Sequence, residues 1–131
     1  MDIRSDERVL EIGCGHGVAA TLICERLEGG HLTAIDRSAK MIQAATRRNA
    51  AHIEAGKAEF LIVTLEDLDL GDRRFVKILA VRVGLFHRES KRASGIVERW
   101  LAPGDALFVF FDPPLEPGTT QEPRPRPRRW S

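Results

Sequence analysis

Residues 9–17, with the sequence VLEIGCGHG, decide how the rest of the chain is interpreted. The segment Val9–Ile12 suits a buried strand and leads into three glycines at every second position, after which an amphipathic helical pattern begins at Val18. Glycine suits a turn whose backbone takes unusual angles or approaches a ligand closely, and a helix N-terminus favours anionic groups. The stretch therefore predicts a strand, a glycine loop and a helix that together bind a nucleotide-type ligand.

Length and composition are those of a single globular domain. The 131 residues are 43% hydrophobic and 30% charged, and the formal net charge of +1 gives no overall attraction to nucleic acid or to a membrane surface. We expect no membrane association, because no apolar run is long enough to span a bilayer and no signal peptide precedes the first strand. Cys14 and Cys24 both fall inside the strand–loop–helix unit, so we expect reduced thiols and a cytoplasmic location.

Apolar strand segments alternate with helical patterns along the chain. The predicted strands are Val9–Ile12, His31–Asp36, Phe60–Leu65, a part of Phe75–Leu85, and Ala106–Phe111. The predicted helices are Val18–Leu27, a helix capped by Ser38 and ended by Gly56, and Ser90–Leu101. This alternation predicts right-handed βαβ units and a doubly wound, mostly parallel α/β sheet of about five strands, with its ligand at the carboxyl ends of the strands.

The composition changes towards the end of the sequence. Four arginines stand against one acid from Glu122 onward, and three prolines alternate with arginines over residues 123–127. Such a sequence is typical of extended polyproline or of disorder. We therefore expect one domain over residues 1–115 and a disordered Pro/Arg-rich tail over residues 116–131.

Two kinds of nucleotide ligand compete for the glycine loop. The dinucleotide fingerprint G-x-G-x-x-G requires a glycine where Val18 stands, whereas this loop is G-x-G-x-G. Glu11 lies two residues before the loop, and its carboxylate suits a ligand with an ammonium or sulfonium group better than a pyrophosphate. Asp36, nineteen residues after Gly17, ends the second strand and can accept hydrogen bonds from paired ribose hydroxyls. The residues favour a cationic nucleoside over a nicotinamide dinucleotide.

The same stretches resemble the class I S-adenosylmethionine-dependent methyltransferases. The sequence VLEIGCGHG at 9–17 resembles their motif I, and LTAIDRS at 32–38, followed by Met41, resembles their motif II. The segments FVKI at 75–78 and WLAPGDAL at 100–107 resemble the regions before strands four and five. The resemblance implies a Rossmann-like methyltransferase core, S-adenosylmethionine as the cofactor, and methyl transfer to an acceptor that we expect to be a small molecule.

The resemblance also implies a cofactor site at the matching positions. Glu11 would orient the loop and the cofactor ammonium, and Asp36 would hold the ribose hydroxyls. Where the family often has an aspartate after strand three, this chain has Thr64, for which Glu66 or Asp67 could substitute. The cofactor-binding residues expected in this way are Glu11, Gly13, Cys14, Gly15, Gly17, Asp36, Arg37, Met41, Thr64, Leu65, Glu66 and Val81.

Residues near and after the end of strand four are the candidates for substrate binding, because ligands meet a parallel sheet at the carboxyl ends of its strands. These candidates are Arg82, His87 and Arg88. No catalytic residue is assigned, since no base is placed beside Cys14 to activate its thiol. We expect no metal, because no cluster of Cys, His and acidic residues has the spacing of metal ligands.

Several departures from the family pattern keep other functions open. Val76 and Asp105 stand where the family has an aspartate and a glycine, and the sequence lacks the usual helices before motif I and the antiparallel strand pair after strand five. The alternative to an enzyme is a non-catalytic or partner-dependent cofactor-binding remnant, completed by a homodimer or a partner chain. Base methylation, suggested by the sequence DPP at 112–114, and nicotinamide-dependent oxidation are less favoured, and we expect no nucleic-acid partner.

Overall fold

The strands form one six-stranded sheet with helices on both faces. A computed structural model describes residues 3–81, 90–104, 107–112 and 124–129 of the chain. Its elements are β1 (Arg8–Ile12), α1 (Val18–Arg26), β2 (His31–Asp36), α2 (Ala39–Arg48), α3 (Ala50–Glu54), β3 (Ala58–Ile62), β4 (Lys77–Val81), α4 (Ser90–Trp100), β5 (Leu107–Asp112) and β6 (Arg124–Arg129).

The strand order is β3-β2-β1-β4-β5-β6, and the first five of these run parallel. Leu10, in the centre of β1, is paired with Thr33 of β2 on one side and with Ile78 of β4 on the other. The chain therefore reverses its winding direction at β1, and ligands of such sheets bind at the carboxyl ends of the strands around that point. The predicted doubly wound, mostly parallel α/β fold is confirmed.

The central strand β1 contributes to two hydrophobic cores, because successive side chains of a strand point to opposite faces. Val9 packs in the core beneath α1 and α2, with Ile23 and Ile42. Leu10 packs in the core on the other face, with Trp100 of α4. Burial on both faces explains why the adjacent residues Val9 and Leu10 are both apolar.

The second predicted helix is two helices with a break at Asn49. Its backbone angles, φ −111° and ψ 23°, lie outside the helical region, so α2 ends at Arg48 and α3 begins at Ala50. Ser38 caps α2 as expected, since its hydroxyl accepts a hydrogen bond from the Met41 N–H at 3.2 Å. The spacing of the apolar residues did not reveal the break, because it continues through both helices.

Residues 124–129 belong to the sheet, although the sequence predicted a disordered tail at these positions. They form β6, which runs antiparallel to β5 with Phe110 paired to Arg126. Pro125 and Pro127 stand at alternate positions, so both missing N–H groups fall on one side of the strand. Proline is tolerated on an edge strand when that side faces outward. The rest of the predicted tail lies outside the described residues.

The segment before β1 packs against the turn between α1 and β2. The Ser5 carbonyl accepts hydrogen bonds from the N–H groups of Glu28 at 2.8 Å and Gly30 at 3.0 Å. A Cβ atom on Gly30 would lie 2.4 Å from the Glu7 carbonyl oxygen. The amino end of the sheet is therefore closely packed backbone.

Candidate functional site

The glycine loop connects β1 to α1 at the carboxyl end of the sheet. Gly13, Gly15 and Gly17 have φ values of 77°, 54° and 86°, which lie in the left-handed region that glycine adopts most readily. The N–H groups of Gly13 and Cys14 donate to the Ile35 carbonyl at 2.9 and 3.1 Å. These bonds hold the loop against the end of β2.

Asp36 links the glycine loop to the segment that follows β2. Its Oδ2 accepts a hydrogen bond from the Gly15 N–H at 3.0 Å, and its Oδ1 accepts one from the Ser38 N–H at 2.9 Å. A carboxylate oxygen can accept a second hydrogen bond. Asp36 can therefore orient the loop and still receive two hydroxyl groups of a ligand.

Glu11 is a buried acid next to this carboxylate. Only 1% of the residue is exposed, and its Oε1 has no hydrogen-bond partner among the described residues. Burial, and secondarily the negative charge of Asp36, raises the pKa of Glu11 to about 8. A positive charge beside Glu11 would favour its ionised form, so this pair of acids suits a cationic ligand.

Cys14 contributes to the shape of the loop rather than to chemistry. The residue is buried, and burial together with the charges of Glu11 and Asp36 raises the pKa of its thiol to about 12. A thiol that stays protonated is a poor nucleophile. The geometry agrees with the interpretation that Cys14 is a small buried loop residue.

Three of the predicted cofactor residues follow β3, whose carboxyl end lies beside that of β2. Thr64 forms a local turn, in which its hydroxyl contacts the Asp67 carboxylate at 3.1 Å and accepts the Asp67 N–H at 3.2 Å. Leu65 is buried in the core on the α4 face, and Glu66 is exposed. Of these three, Thr64 and Glu66 have polar groups within reach of solvent or of a ligand.

The structure describes the three remaining cofactor candidates but not the three substrate candidates. Arg37 is exposed after β2, Met41 is half-buried in the first turn of α2, and Val81 ends β4. The substrate candidates lie outside the described residues and stay predictions; they are Arg82, His87 and Arg88.

Sequence reasoning missed a polar group behind the loop. Thr21 of α1, Arg48 of α2 and Asn49 at the break between α2 and α3 contact the backbone of His16 and Gly17. The one sequence signal that could have indicated it is an asparagine, Asn49, inside a helical pattern, and the structure shows that this residue is fully buried.

The chain matches the model of a family described as "Methyltransferase domain" over residues 9–104. The chain belongs to this methyltransferase family. The resemblance found in the sequence is thereby confirmed, and with it S-adenosylmethionine as the cofactor of the family.

The individual proteins to which the chain is similar are longer than this chain. The chain is 32% identical over 81 residues to the YrhH protein of Bacillus subtilis (strain 168), which covers 62% of this chain and 44% of that protein. It is 31% identical over 106 residues to the fatty-acid O-methyltransferase of Mycolicibacterium smegmatis. That match covers 81% of this chain and 37% of that protein. The plantazolicin methyltransferase BpumL, solved with SAH and a triazolic desmethylPZN analog, shares the fold with a TM-score of 0.69 and 22% identity. The match covers 81% of this chain and 38% of that chain. The chain spans less than half the length of each relative.

The described helices are all too short or too polar to cross a membrane. In the same part of the chain, no three His, Cys, Asp or Glu side chains come together in a way that could hold a metal ion. Cys14 and Cys24 are both free thiols.

Proposed function

We propose that this chain binds S-adenosylmethionine at the glycine loop and transfers its methyl group to a small-molecule acceptor. The contact between the Gly15 N–H and Asp36 carries this proposal, because it joins a left-handed glycine loop to a carboxylate that suits ribose hydroxyls. Membership of the methyltransferase family supports it. The two free cysteines suit the reducing cytoplasm, where we place the protein.

The described residues fit such a cofactor. A Cβ atom on Gly15 would meet nothing within 4 Å, so the protein leaves space beside the loop. Asp36 keeps acceptor capacity for two hydroxyl groups, and the unpartnered Oε1 of Glu11 suits an ammonium or sulfonium group. The free N–H groups at the start of α1 suit a carboxylate.

The bound cofactor supplies a methyl group on a positively charged sulfonium, which is already activated for transfer. The residues of this chain then have two tasks, which are to orient that methyl group and to exclude water. Asp36 would fix the ribose and the glycine loop would accommodate the methionine portion. No protein nucleophile is needed, and the raised pKa of Cys14 agrees with this. A general base is required only for an acceptor that must lose a proton.

A second candidate function is a cofactor-binding subunit without activity of its own. One observation favours it, namely that Val76 stands where the family pattern has an aspartate. In that case a homodimer or a partner chain would complete the substrate pocket.

Calorimetric titration with S-adenosylhomocysteine and with a nicotinamide dinucleotide tests the cofactor proposal. We expect heat of binding with the first alone. Asp36→Ala should weaken that binding by about 1–3 kcal/mol, through lost hydrogen bonds to a charged group. Asp6→Ala removes an exposed acid near the opposite end of the sheet and serves as the matched control.

The proposal is wrong if the nicotinamide dinucleotide binds in place of S-adenosylhomocysteine, or if neither binds. Transfer of a labelled methyl group to small molecules of a cell extract then separates an enzyme from a binding subunit.

A further inference from the structure

The last three residues of the glycine loop are each held by a side chain from β2 or from the end of α2. Asp36 accepts the N–H of Gly15, Arg48 donates its Nε–H to the His16 carbonyl at 3.2 Å, and Asn49 donates to the Gly17 carbonyl. The contacts to His16 and Gly17 span 32 residues of sequence. The shape of the loop is therefore set by a neighbouring helix and not by its glycines alone.

Asn49 has the most constrained position of the three. The residue is fully buried, and its Nδ2 donates to the carbonyls of Gly17 and Ala45, at 3.1 Å in each case. Its Oδ1 accepts a hydrogen bond from the Thr21 hydroxyl at 2.7 Å. Both ends of the amide are thus used, which fixes its orientation and ties α1, α2 and the loop together.

The Gly17 carbonyl is the point at which these elements meet. It also accepts the Thr21 N–H at 3.0 Å, the bond that begins α1. In a trans peptide the carbonyl and the following N–H point in opposite directions. Holding the Gly17 carbonyl towards Asn49 therefore turns the N–H of Val18 away from it, and this N–H belongs to the helix end that lacks intrahelical partners.

Gly17 also has no room for a side chain. A Cβ atom at this position would lie 2.8 Å from Nδ2 of Asn49 and 2.9 Å from Cβ of Ala45. The glycine lets α2 approach the loop closely enough for the amide to reach its carbonyl. The third glycine of the loop is thus matched to Asn49.

We propose that Asn49 is a positioning residue for the cofactor, which acts by fixing the Gly17 carbonyl and hence the direction of the first amide of α1. Thr21 orients the Asn49 amide, and Arg48 restrains the preceding carbonyl. This inference rests on the proposed function of the loop. A residue that served only to end α2 would need the contact to Ala45 but not the contact to Gly17.

The test compares two variants with one matched control. Asn49→Asp keeps the shape and the acceptor oxygen but removes the donor to Gly17, and Thr21→Val keeps the shape but removes the hydroxyl. Thr33→Val makes the same chemical change at a buried threonine of β2 whose hydroxyl bonds to Glu59 and not to the loop. Each protein is measured for S-adenosylhomocysteine affinity, for its unfolding midpoint, and for amide hydrogen exchange without ligand.

We expect Asn49→Asp to raise the Kd about tenfold or more and Thr21→Val to raise it about threefold, since each removes a hydrogen bond of the loop. Exchange at the Gly17 amide should accelerate about tenfold in Asn49→Asp, with the amides of β2 unchanged. Thr33→Val should lower the unfolding midpoint and leave the Kd within about twofold.

The positioning role is wrong if Asn49→Asp and Thr21→Val lower only the unfolding midpoint, as Thr33→Val does, with Kd and loop exchange unchanged. If Asn49→Asp does not fold, Asn49→Ser decides the question, because the Thr21 hydroxyl also contacts the Gly17 carbonyl at 2.9 Å and Thr21→Val does not isolate Asn49. If the unaltered protein does not bind S-adenosylhomocysteine, the proposed function fails, and the exchange rates at Gly17 still decide whether Asn49 sets the loop.

Discussion

Two buried glutamates, Glu7 and Glu11, lie at opposite ends of the central strand and differ in their hydrogen-bond partners. At the amino end, the carboxylate of Glu7 contacts Nζ of Lys77 at 2.6 and 2.5 Å and accepts the Arg4 N–H at 2.6 Å. At the carboxyl end, Oε1 of Glu11 has no hydrogen-bond partner among the described residues. Both carboxylate oxygens of Glu7 are therefore paired, whereas Oε1 of Glu11 is not.

This difference indicates that the two ends of the sheet have different roles. A buried acid with full partners holds structure together, whereas a buried acid without them costs stability and persists where a ligand uses it. Two glycines differ in the same direction, because Gly30 is enclosed by the backbone of Ser5 and Glu7 while Gly15 borders open space. The amino end is held together by paired groups, and the carboxyl end is where we propose that the ligand binds.

The largest expected effect is the loss of the ion pair at the amino end. Lys77→Met should lower the free energy of unfolding by about 3–5 kcal/mol, because it leaves Glu7 buried without its counter-charge. Urea unfolding measures this loss, and the folded fraction should bind S-adenosylhomocysteine as before. Glu7→Leu combined with Lys77→Met should recover much of the stability. A loss well below about 1 kcal/mol would mean that the pair is effectively solvated.

At the carboxyl end, replacing the acid Glu11 should instead raise the free energy of unfolding. Folded Glu11 keeps its proton up to a pKa of about 8, because of burial and then of Asp36, whereas the unfolded chain releases it near 4.5. The stability that this proton affinity provides is complete below about pH 4.5 and is lost as the pH rises to about 8. Glu11→Gln carries no such titration, so it should gain stability relative to the unaltered protein over this range.

The free energies of unfolding of Glu11→Gln and the unaltered protein should come to differ by a few kcal/mol, at about 1.4 kcal/mol for each unit of pKa shift. Urea unfolding of both proteins at pH 5 and pH 8 measures it. The same substitution should weaken S-adenosylhomocysteine binding. Parallel stability profiles at the two pH values would contradict the raised pKa of Glu11.

The smallest expected effect compares two glycines of opposite surroundings. Gly30→Ala should destabilise the protein by about 1–3 kcal/mol, because the new Cβ atom would collide with the backbone of Ser5 and Glu7. Gly95→Ala, in α4, meets nothing within 4 Å and should stabilise by about 0.5–1 kcal/mol through helix propensity. Thermal unfolding of the two variants should show shifts of opposite sign, and an unfolding midpoint of Gly30→Ala at or above that of the unaltered protein would refute the crowding at Gly30.

The sequence predicted the parts of the site that depend on local pattern. The strand, the glycine loop and the helix after it are adjacent in sequence, and Asp36 could be found because its distance from Gly17 follows from one helix and one strand. The contact between Asn49 and Gly17 could not be found in this way, since a close approach of α2 to the loop decides it. The pair of Glu7 and Lys77, 70 residues apart, depends in the same way on the pairing of β1 with β4.

Strand boundaries and the last strand show a second limit of the sequence pattern. Strand three was expected at Phe60–Leu65 and lies at Ala58–Ile62, because Leu65 enters the core from the following loop. The alternating prolines of residues 124–129 are typical of an extended, unpaired segment when they are considered alone. Their assignment to a strand requires a neighbour, β5, that the local sequence does not indicate.

The alternating prolines of β6 make the two borders of the described sheet unequal. Another strand adds to a sheet through unpaired N–H and C=O groups along its border. Pro125 and Pro127 have no N–H group and so cannot donate a hydrogen bond to a strand added beyond β6. Beyond β3, the opposite border of the sheet, no proline interrupts the row. Strand exchange, amyloid-like stacking or capture of an extended peptide would therefore be directed to the β3 border.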